Sequence, residues 1–249
     1  MTEVQKKLII IYLELIKKIF LNGIFVNVKI PKNSGLKFLV DSKTDNGFIL
    51  GFYEVELVSL LEKYLKPGMV FYDLGAHWGY FSLLASKLVG TQGKVMAFEP
   101  MPENYSRLQR NVRANGIENL NIFHLAISDH NGQIKFSNTD DSFANSYLNV
   151  GDKSGVLVDT VSLDSFAQEE KNTPPDFIKI DVEGAELDVL KGAKNLIHTY
   201  KPLIHLSTHD IHLKGVDKQC RSIMDTYNYK MNVLSSKQGI KDYICLPKN

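Results

Sequence analysis

The chain predicts an α/β fold, a largely parallel sheet with helices on both faces, and three observations carry that expectation. From about residue 69 short apolar runs alternate with segments of helical periodicity, at spacings that suit strand–helix–strand crossovers. At 249 residues the chain is long enough for one large domain, or one domain with a small appendage. Its composition, 44% hydrophobic and 23% charged, is ordinary for a globular protein.

Before the alternation begins, residues 1–68 read as an N-terminal helix followed by a β-like extension. In "VQKKLIIIYLELIKKIFLNGIFVNV" the apolar residues Leu8, Ile11, Tyr12, Leu15, Ile16 and Ile19 recur at helical spacing, with Lys6, Lys7, Lys17 and Lys18 at the ends. The uncharged apolar stretch Leu8 to Leu13 is too short to span a bilayer, and no small-residue cleavage site follows. Two fates suit such a helix: packing on the domain or on a second subunit, and peripheral contact with a membrane.

The main domain is expected over 69–249. "MVFYDL" (69–74) reads as a buried strand, "YFSLLASKLV" (80–89) as a helix and "KVMAFEP" (94–100) as the next strand. Residues 102–115 suit a helix in which polar Asn104, Arg107 and Arg110 alternate with Tyr105 and Leu108. A third strand is expected over 119–128, a fourth over 177–182, a helix over 185–197 and a fifth strand over 201–208. Residues 129–175 break the rhythm with many Asp, Asn, Ser and Gly turn signals around short β-like pieces. Such an insertion emerges near the carboxyl ends of the strands, where open α/β sheets bind ligands, and reads as part of a substrate wall.

Charge and cysteines narrow the function. A net charge of +1 gives no bulk electrostatic case for nucleic-acid binding. Cys220 and Cys245 have no CxxC spacing, which points away from a zinc site or disulfide framework and toward a reducing, cytoplasmic setting.

The chemistry concentrates in "FYDLGAHWGYFS". Asp73 ends a strand, Gly75 permits a tight turn and Gly79 opens the next helix, with His77 between them. The pattern is neither the GxGxxG of dinucleotide sites nor the GxxxxGK[ST] of phosphate loops. A carboxylate in place of a lysine favours a cationic or neutral ligand over a polyphosphate. Glu99, at the end of the next strand in "AFEP", can accept both hydroxyls of a ribose. An Asp near an amino-acid end and a Glu at a ribose suit S-adenosylmethionine (SAM), which carries an ammonium, a sulfonium and a ribose diol.

Residues 70–209, a little over half of the chain, resemble the FkbM family of SAM-dependent methyltransferases. The resemblance rests on "FYDLGAHWGYFSL", "VMAFEPMPENYSRLQRNV", "HLAISD", "VSLDSF" and above all "FIKIDVEGAELDVLKG". It implies a Rossmann-like class I methyltransferase sheet with an N-terminal helical extension, and methyl transfer usually to an oxygen, often of a sugar or natural product. Asp73, Gly75, His77, Gly79 and Glu99 match the family's cofactor site by position. His77 stands where a small polar residue, often Asn, is common, and Ser207 where the family often has Glu, while His209 matches a family histidine.

"KIDVEGAE" gathers Asp181, Glu183 and Glu186 at the end of the fourth strand, with Lys179 on the same strand face as Asp181. Glu186 suits the helix dipole, and Lys179 suits either a buried ion pair or a place beside the acceptor. His209 is the leading candidate for a base that takes the acceptor's proton, and Asp181 the second. His124, His198 and His205 suit structural roles. A metal-assisted variant would gather Asp181, Glu183 and His209 around Mg²⁺. The reading is therefore an O-methyltransferase acting on a sugar or small hydroxylated metabolite. An N-methyltransferase and a non-catalytic SAM-binding partner subunit are the alternatives, and [DN]PP[YF], the motif of nucleic-acid amino-methyltransferases, is missing.

Overall fold

The computed structural model describes residues 10–15, 19, 23–28, 35–44, 46–136, 155–169 and 172–248. A seven-stranded sheet is its centre. The strands are β3 (Val70–Leu74), β4 (Lys94–Phe98), β5 (Leu120–Phe123), β9 (Phe177–Ile180), β10 (Leu203–His209), β11 (Tyr229–Lys237) and β12 (Ile240–Pro247). They lie side by side in the order β11-β12-β10-β9-β3-β4-β5. Strands β10, β9, β3, β4 and β5 pair in parallel, and β12 runs antiparallel to both of its neighbours, β10 and β11. Both faces of β3 and β9 are buried, which explains their unbroken apolar sequences.

Alternation along these strands sorts side chains between two cores. Phe71, Phe177 and Ile244 face the core built with α2 (Val55–Tyr64) and α3 (Tyr80–Val89). Tyr72, Ile178 and Ile204 face the core built with α5 (Leu163–Ala167), α6 (Glu186–Gly192), α7 (Lys194–Tyr200) and α8 (Val216–Thr226). The expected helix over 185–197 is thus two helices. Gly192 lies so close to the turn at Ser128 that a Cβ there would stand 2.0 Å from its carbonyl oxygen, and the chain breaks at Ala193 with φ −110°. The expected third strand is also divided. After β5 the chain turns at His124, and β6 (Ala126–Ile127) joins β7 (Gly132–Phe136) and β8 (Val156–Val161) in a separate three-stranded sheet. Residues 137–154 of the insertion lie outside the described residues.

The extension adds a two-stranded hairpin, β1 (Ile24–Asn27) with β2 (Lys37–Val40), and α1 (Asn46–Leu50) ahead of α2. It is fastened by α4 (Pro102–Ala114), whose Arg107 and Asn111 are buried anchors. Arg107 donates to the Leu39 carbonyl and Thr44 Oγ1 at 2.6 Å and to Asp41 at 2.8 Å, with its guanidinium 3.5 Å above the Trp78 ring. Asn111 accepts from Leu39 N–H and donates to the Trp78 carbonyl. Arg107→Ala is expected to cost about 1.5–3 kcal/mol in urea unfolding and to expose residues 35–50 to protease. An unchanged midpoint and cleavage pattern would contradict this anchoring.

Residues 10–15 are helical, as expected, but the helix hides little of its apolar face. Leu13 packs on the core, while Ile11, Tyr12, Leu15 and Ile19 are exposed. Leu8, Ile16 and the four lysines lie outside the described residues. Among the described residues no helix is long and apolar enough to cross a membrane. Cys220 and Cys245 are buried free thiols.

Candidate active site

The glycine turn is shaped by what crowds it. Gly75 has φ +79°, and a Cβ there would stand 1.9 Å from the Asp181 carbonyl oxygen. Only glycine lets the turn after β3 pass the end of β9 so closely. Gly79 has φ +88°, and its Cβ would meet the Leu108 side chain at 2.2 Å. His77, between them, is left-handed at φ 50°, a conformation a side chain tolerates only when its surroundings hold it.

What holds it is Glu99. The His77 N–H donates to Glu99 Oε2 at 2.7 Å, and Met101 N–H donates to Oε1 at 2.9 Å. Burial pushes the Glu99 carboxyl up to about 7 despite these bonds. Burial, reinforced by the Arg107 charge, lowers the His77 imidazole to about 3, so the ring is neutral where it stacks on Trp78 at 4.4 Å.

On the other side of β3 lies a charged row. Asp73, Lys179 and His205 stand in register on β3, β9 and β10. Lys179 Nζ is 3.4 Å from Asp73 Oδ1, 3.1 Å from Asp181 Oδ2 and 3.2 Å from the Gly75 carbonyl. Burial works against its charge, but Asp181, Asp73 and Glu54 outweigh that and raise its pKa. In turn Lys179 and His209 outweigh burial and lower Asp181 to about 2. Asp73 is fully buried and also accepts from Ser82 Oγ, so it stands one layer behind the cavity wall.

After Asp181 the chain makes a strained turn, with Glu183 at φ 54° and Gly184 at φ 107°. Glu186, 0% exposed at the start of α6, accepts from Gly184 N–H at 2.9 Å and lies 2.7 Å from His209 Nδ1. That contact turns Nε2 of His209 toward Asp181 Oδ1 and Glu183 Oε2, each 3.5 Å away. Burial alone would lower His209, but the bond to Glu186 and the charges of Asp181 and Glu183 hold it up at about 9. Burial and the Asp181 charge raise Glu183 to about 7. His209 ends β10 instead of following it, and does not itself line the cavity. His212, on the loop beyond, reaches Glu183 at 2.9 Å. His124 and His198 pack against Tyr105 and Tyr227, and His205 is buried beside Asp242.

One cavity joins these groups. It encloses about 940 Å³, counting the solvent space open at its mouth. Gly75, His77 and Glu99 line one part, and Lys179, Asp181 and Glu183 another. Of the insertion's described residues, Phe136 reaches the wall. The extension contributes Phe48 and Tyr53, whose rings stack at 3.9 Å, neither of which carried any sequence signal for a site. Beside them Glu54 adopts φ 41° at the start of α2 without capping it. Burial and the Asp181 charge push its carboxyl up to about 7, so it shares the electrostatics of the site. Before a helix, a Glu reads merely as a helix-dipole acid. Among the described residues, Asp181, Glu183 and His209 bring three ligand atoms within 4.8 Å of one another, a set that a divalent cation would fit.

A glycine turn and a buried acid at the ends of adjacent parallel strands, on a sheet with one antiparallel strand, β12, define a class I SAM-dependent methyltransferase domain. The chain belongs to the FkbM methyltransferase family, whose domain model matches residues 73–231. It is 30% identical over 147 residues to the hexuronic acid methyltransferase AglP of Haloferax volcanii, covering 59% of each chain. It is 29% identical over 187 residues to the 2-O-methyltransferase NoeI of Sinorhizobium fredii, covering 68% of this chain and 74% of that one. The crystal structure of methyltransferase FkbM from Methylobacillus flagellatus shares the fold, with a TM-score of 0.52 at 19% identity over 71% of this chain and 43% of that one.

Proposed function

We propose that this protein transfers the methyl group of SAM to a hydroxyl oxygen of a sugar or small hydroxylated metabolite. The observation that carries this reading is one cavity running from Glu99 to Asp181 and Glu183, at the ends of β4 and β9. The names of the two relatives, one specifying a hexuronic acid and the other a 2-O position, support it. When bound, SAM supplies a methyl on a sulfonium that keeps its electron pair as the methyl passes to oxygen.

The chain's residues do the rest. Glu99, fixed by the His77 and Met101 N–H groups and by Asn104 Nδ2, holds the ribose diol, while the backbone from Gly75 to His77 and Gly79 cradles the cofactor. Lys179, itself paired with Asp73, and His209 keep Asp181 ionised at the wall. Glu183, held at about 7, takes the acceptor's proton as the new C–O bond forms, and Asp181, ionised beside it, orients the acceptor. His209, fixed by Glu186, holds these carboxylates and acts through them, one layer behind the reacting atoms. Holding the acceptor in line can supply on the order of 7–11 kcal/mol, and proton removal roughly a further 10²–10⁴-fold. Residues 1–68 serve as an appendage to the 69–249 domain, with Phe48 and Tyr53 on the wall, and Phe136 brings the 129–175 insertion to the substrate side.

Incubation with labelled SAM and a panel of sugar-bearing acceptors tests the reading. A methyl ether is the expected product. A methylated amine would move the assignment to N-methylation, and SAM binding without turnover on any acceptor would favour a partner subunit.

Glu99→Ala is expected to weaken SAM binding by about 10–150-fold, the loss of a charged acceptor worth roughly 1.5–3 kcal/mol. Diol binding favours the ionised carboxylate, so the complex holds fewer protons than the free protein. Affinity is then expected to fall as pH drops through about 7, and calorimetry from pH 6 to 8 checks the slope. A flat profile in the wild type would remove Glu99 from the ribose site.

A second reading, divalent-metal assistance, is favoured by the orientation of His209, whose Nδ1 is tied to Glu186 while Nε2 faces Asp181 and Glu183. That is the arrangement in which a carboxylate orients an imidazole ligand. Turnover lost with EDTA and restored by Mg²⁺ would establish it, and turnover indifferent to EDTA would dismiss it.

A further inference from the structure

We propose that the N-terminal helix docks this protein, by its outward apolar face, on the surface of an anionic lipid bilayer. Its described side chains divide sharply between two sides. Leu13 packs on the core beneath, and Glu14 turns to the domain, accepting a 2.8 Å hydrogen bond from Asn46 Nδ2. Ile11, Tyr12, Leu15 and Ile19 stay 57%, 64%, 55% and 71% exposed. Glu14 is the single acid between residues 4 and 22, so its inward turn leaves the outer face apolar and free of carboxylate. Of thirteen large exposed hydrophobic residues among those described, eight fall between Ile10 and Val55, a concentration that scattered surface residues do not produce.

Charge selects the occupant. The sequence brackets the apolar stretch with Lys6, Lys7 on one side and Lys17, Lys18 on the other. A second copy would bring its own four lysines, of the same charge, to the same contact. Anionic headgroups complement the same lysines, and a sequence in which basic residues flank an apolar stretch with a Tyr among aliphatic residues suits the interface plane. Asn46, which holds Glu14, opens the helix that carries the cavity residue Phe48, so docking sets the cavity wall beside the bilayer.

Flotation of the full chain with vesicles tests this, comparing phosphatidylcholine alone with phosphatidylcholine containing phosphatidylglycerol. The wild type is expected to float with the anionic vesicles and to stay behind with the neutral ones. Ile11→Asp and Leu15→Asp are each expected to weaken vesicle binding by at least about tenfold, with melting temperature and SAM affinity unchanged because both side chains are exposed in the free protein. Failure of the wild type to float, or equal flotation of the variants, would overturn the proposal. So would a lower melting temperature in the variants, or a wild-type dimer in sedimentation that Ile11→Asp converts to monomer. None of these results bears on SAM binding, so the proposed methyl transfer stands or falls separately.

Discussion

Asp181→Asn is expected to lower turnover with a hydroxylated acceptor by roughly 10²–10⁴-fold while SAM affinity shifts by less than about threefold. An alcohol attacks slowly until its proton leaves, and the amide of Asn keeps the shape of the carboxylate without the charge that orients the acceptor beside Glu183. The environment makes Asp181 available for this work. Lys179 and His209 keep it ionised, and its side chain, 24% exposed, reaches the cavity. His209→Ala is expected to lower turnover as well, by freeing Asp181 and Glu183 from the group that fixes them. His209→Gln, whose amide can still donate to Glu186, should recover part of the loss, which a merely destabilised fold would not allow. Single-turnover kinetics beside calorimetry separate chemistry from cofactor binding. Wild-type turnover in Asp181→Asn would remove the carboxylate from the reaction.

Lys179→Met is expected to cost about 3–5 kcal/mol of stability. Its ammonium, 2% exposed, stands between Asp73, 1% exposed, and Asp181. Without it two carboxylates face each other across the β3–β9 pair with no cation to offset their burial. For a chain of this size that loss is on the order of a 6–20 °C drop in melting temperature. Removing Asp73 as well, in Lys179→Met/Asp73→Leu, should restore part of it, because the site then lacks both the charge and its partner. Urea unfolding with an unchanged m-value reads the effect. An unchanged midpoint in the single variant would mean that Lys179 does not hold the row together.

Much of the architecture was legible because its causes are local. Unbroken apolar runs such as "FIKI" identify strands buried on both faces, and Gly75 and Gly79 mark the turn between β3 and α3. The boundaries slipped where distant chain intruded. The helix expected over 185–197 breaks at Ala193 because Gly192 is pressed against Ser128, a contact across the fold that helical periodicity does not encode. In the sequence Arg107 reads only as a polar residue of a helix, yet Leu39, Asp41 and Thr44 give it a buried hydrogen-bonded seat.

By itself, the sequence determined which chemistry this protein carries: an acid and two glycines at one strand end, Glu99 at the next, and Asp181 and Glu183 at a third. These follow from residue type and from spacing along the chain, where strand ends are set by short-range pattern. Tertiary structure alone decided how those groups act. It turned Asp73 away from the cavity toward Ser82 and Lys179, and it set His209 behind Asp181 and Glu183 by tying it to Glu186. It brought Phe48, Tyr53 and Glu54 of the extension to the site, and it left the apolar face of the first helix outside. The physical reason is the same in each case. Burial, pKa and side-chain direction depend on partners that can lie a hundred residues away, as the Asp181 carbonyl does from Gly75, and folding alone brings such partners into contact.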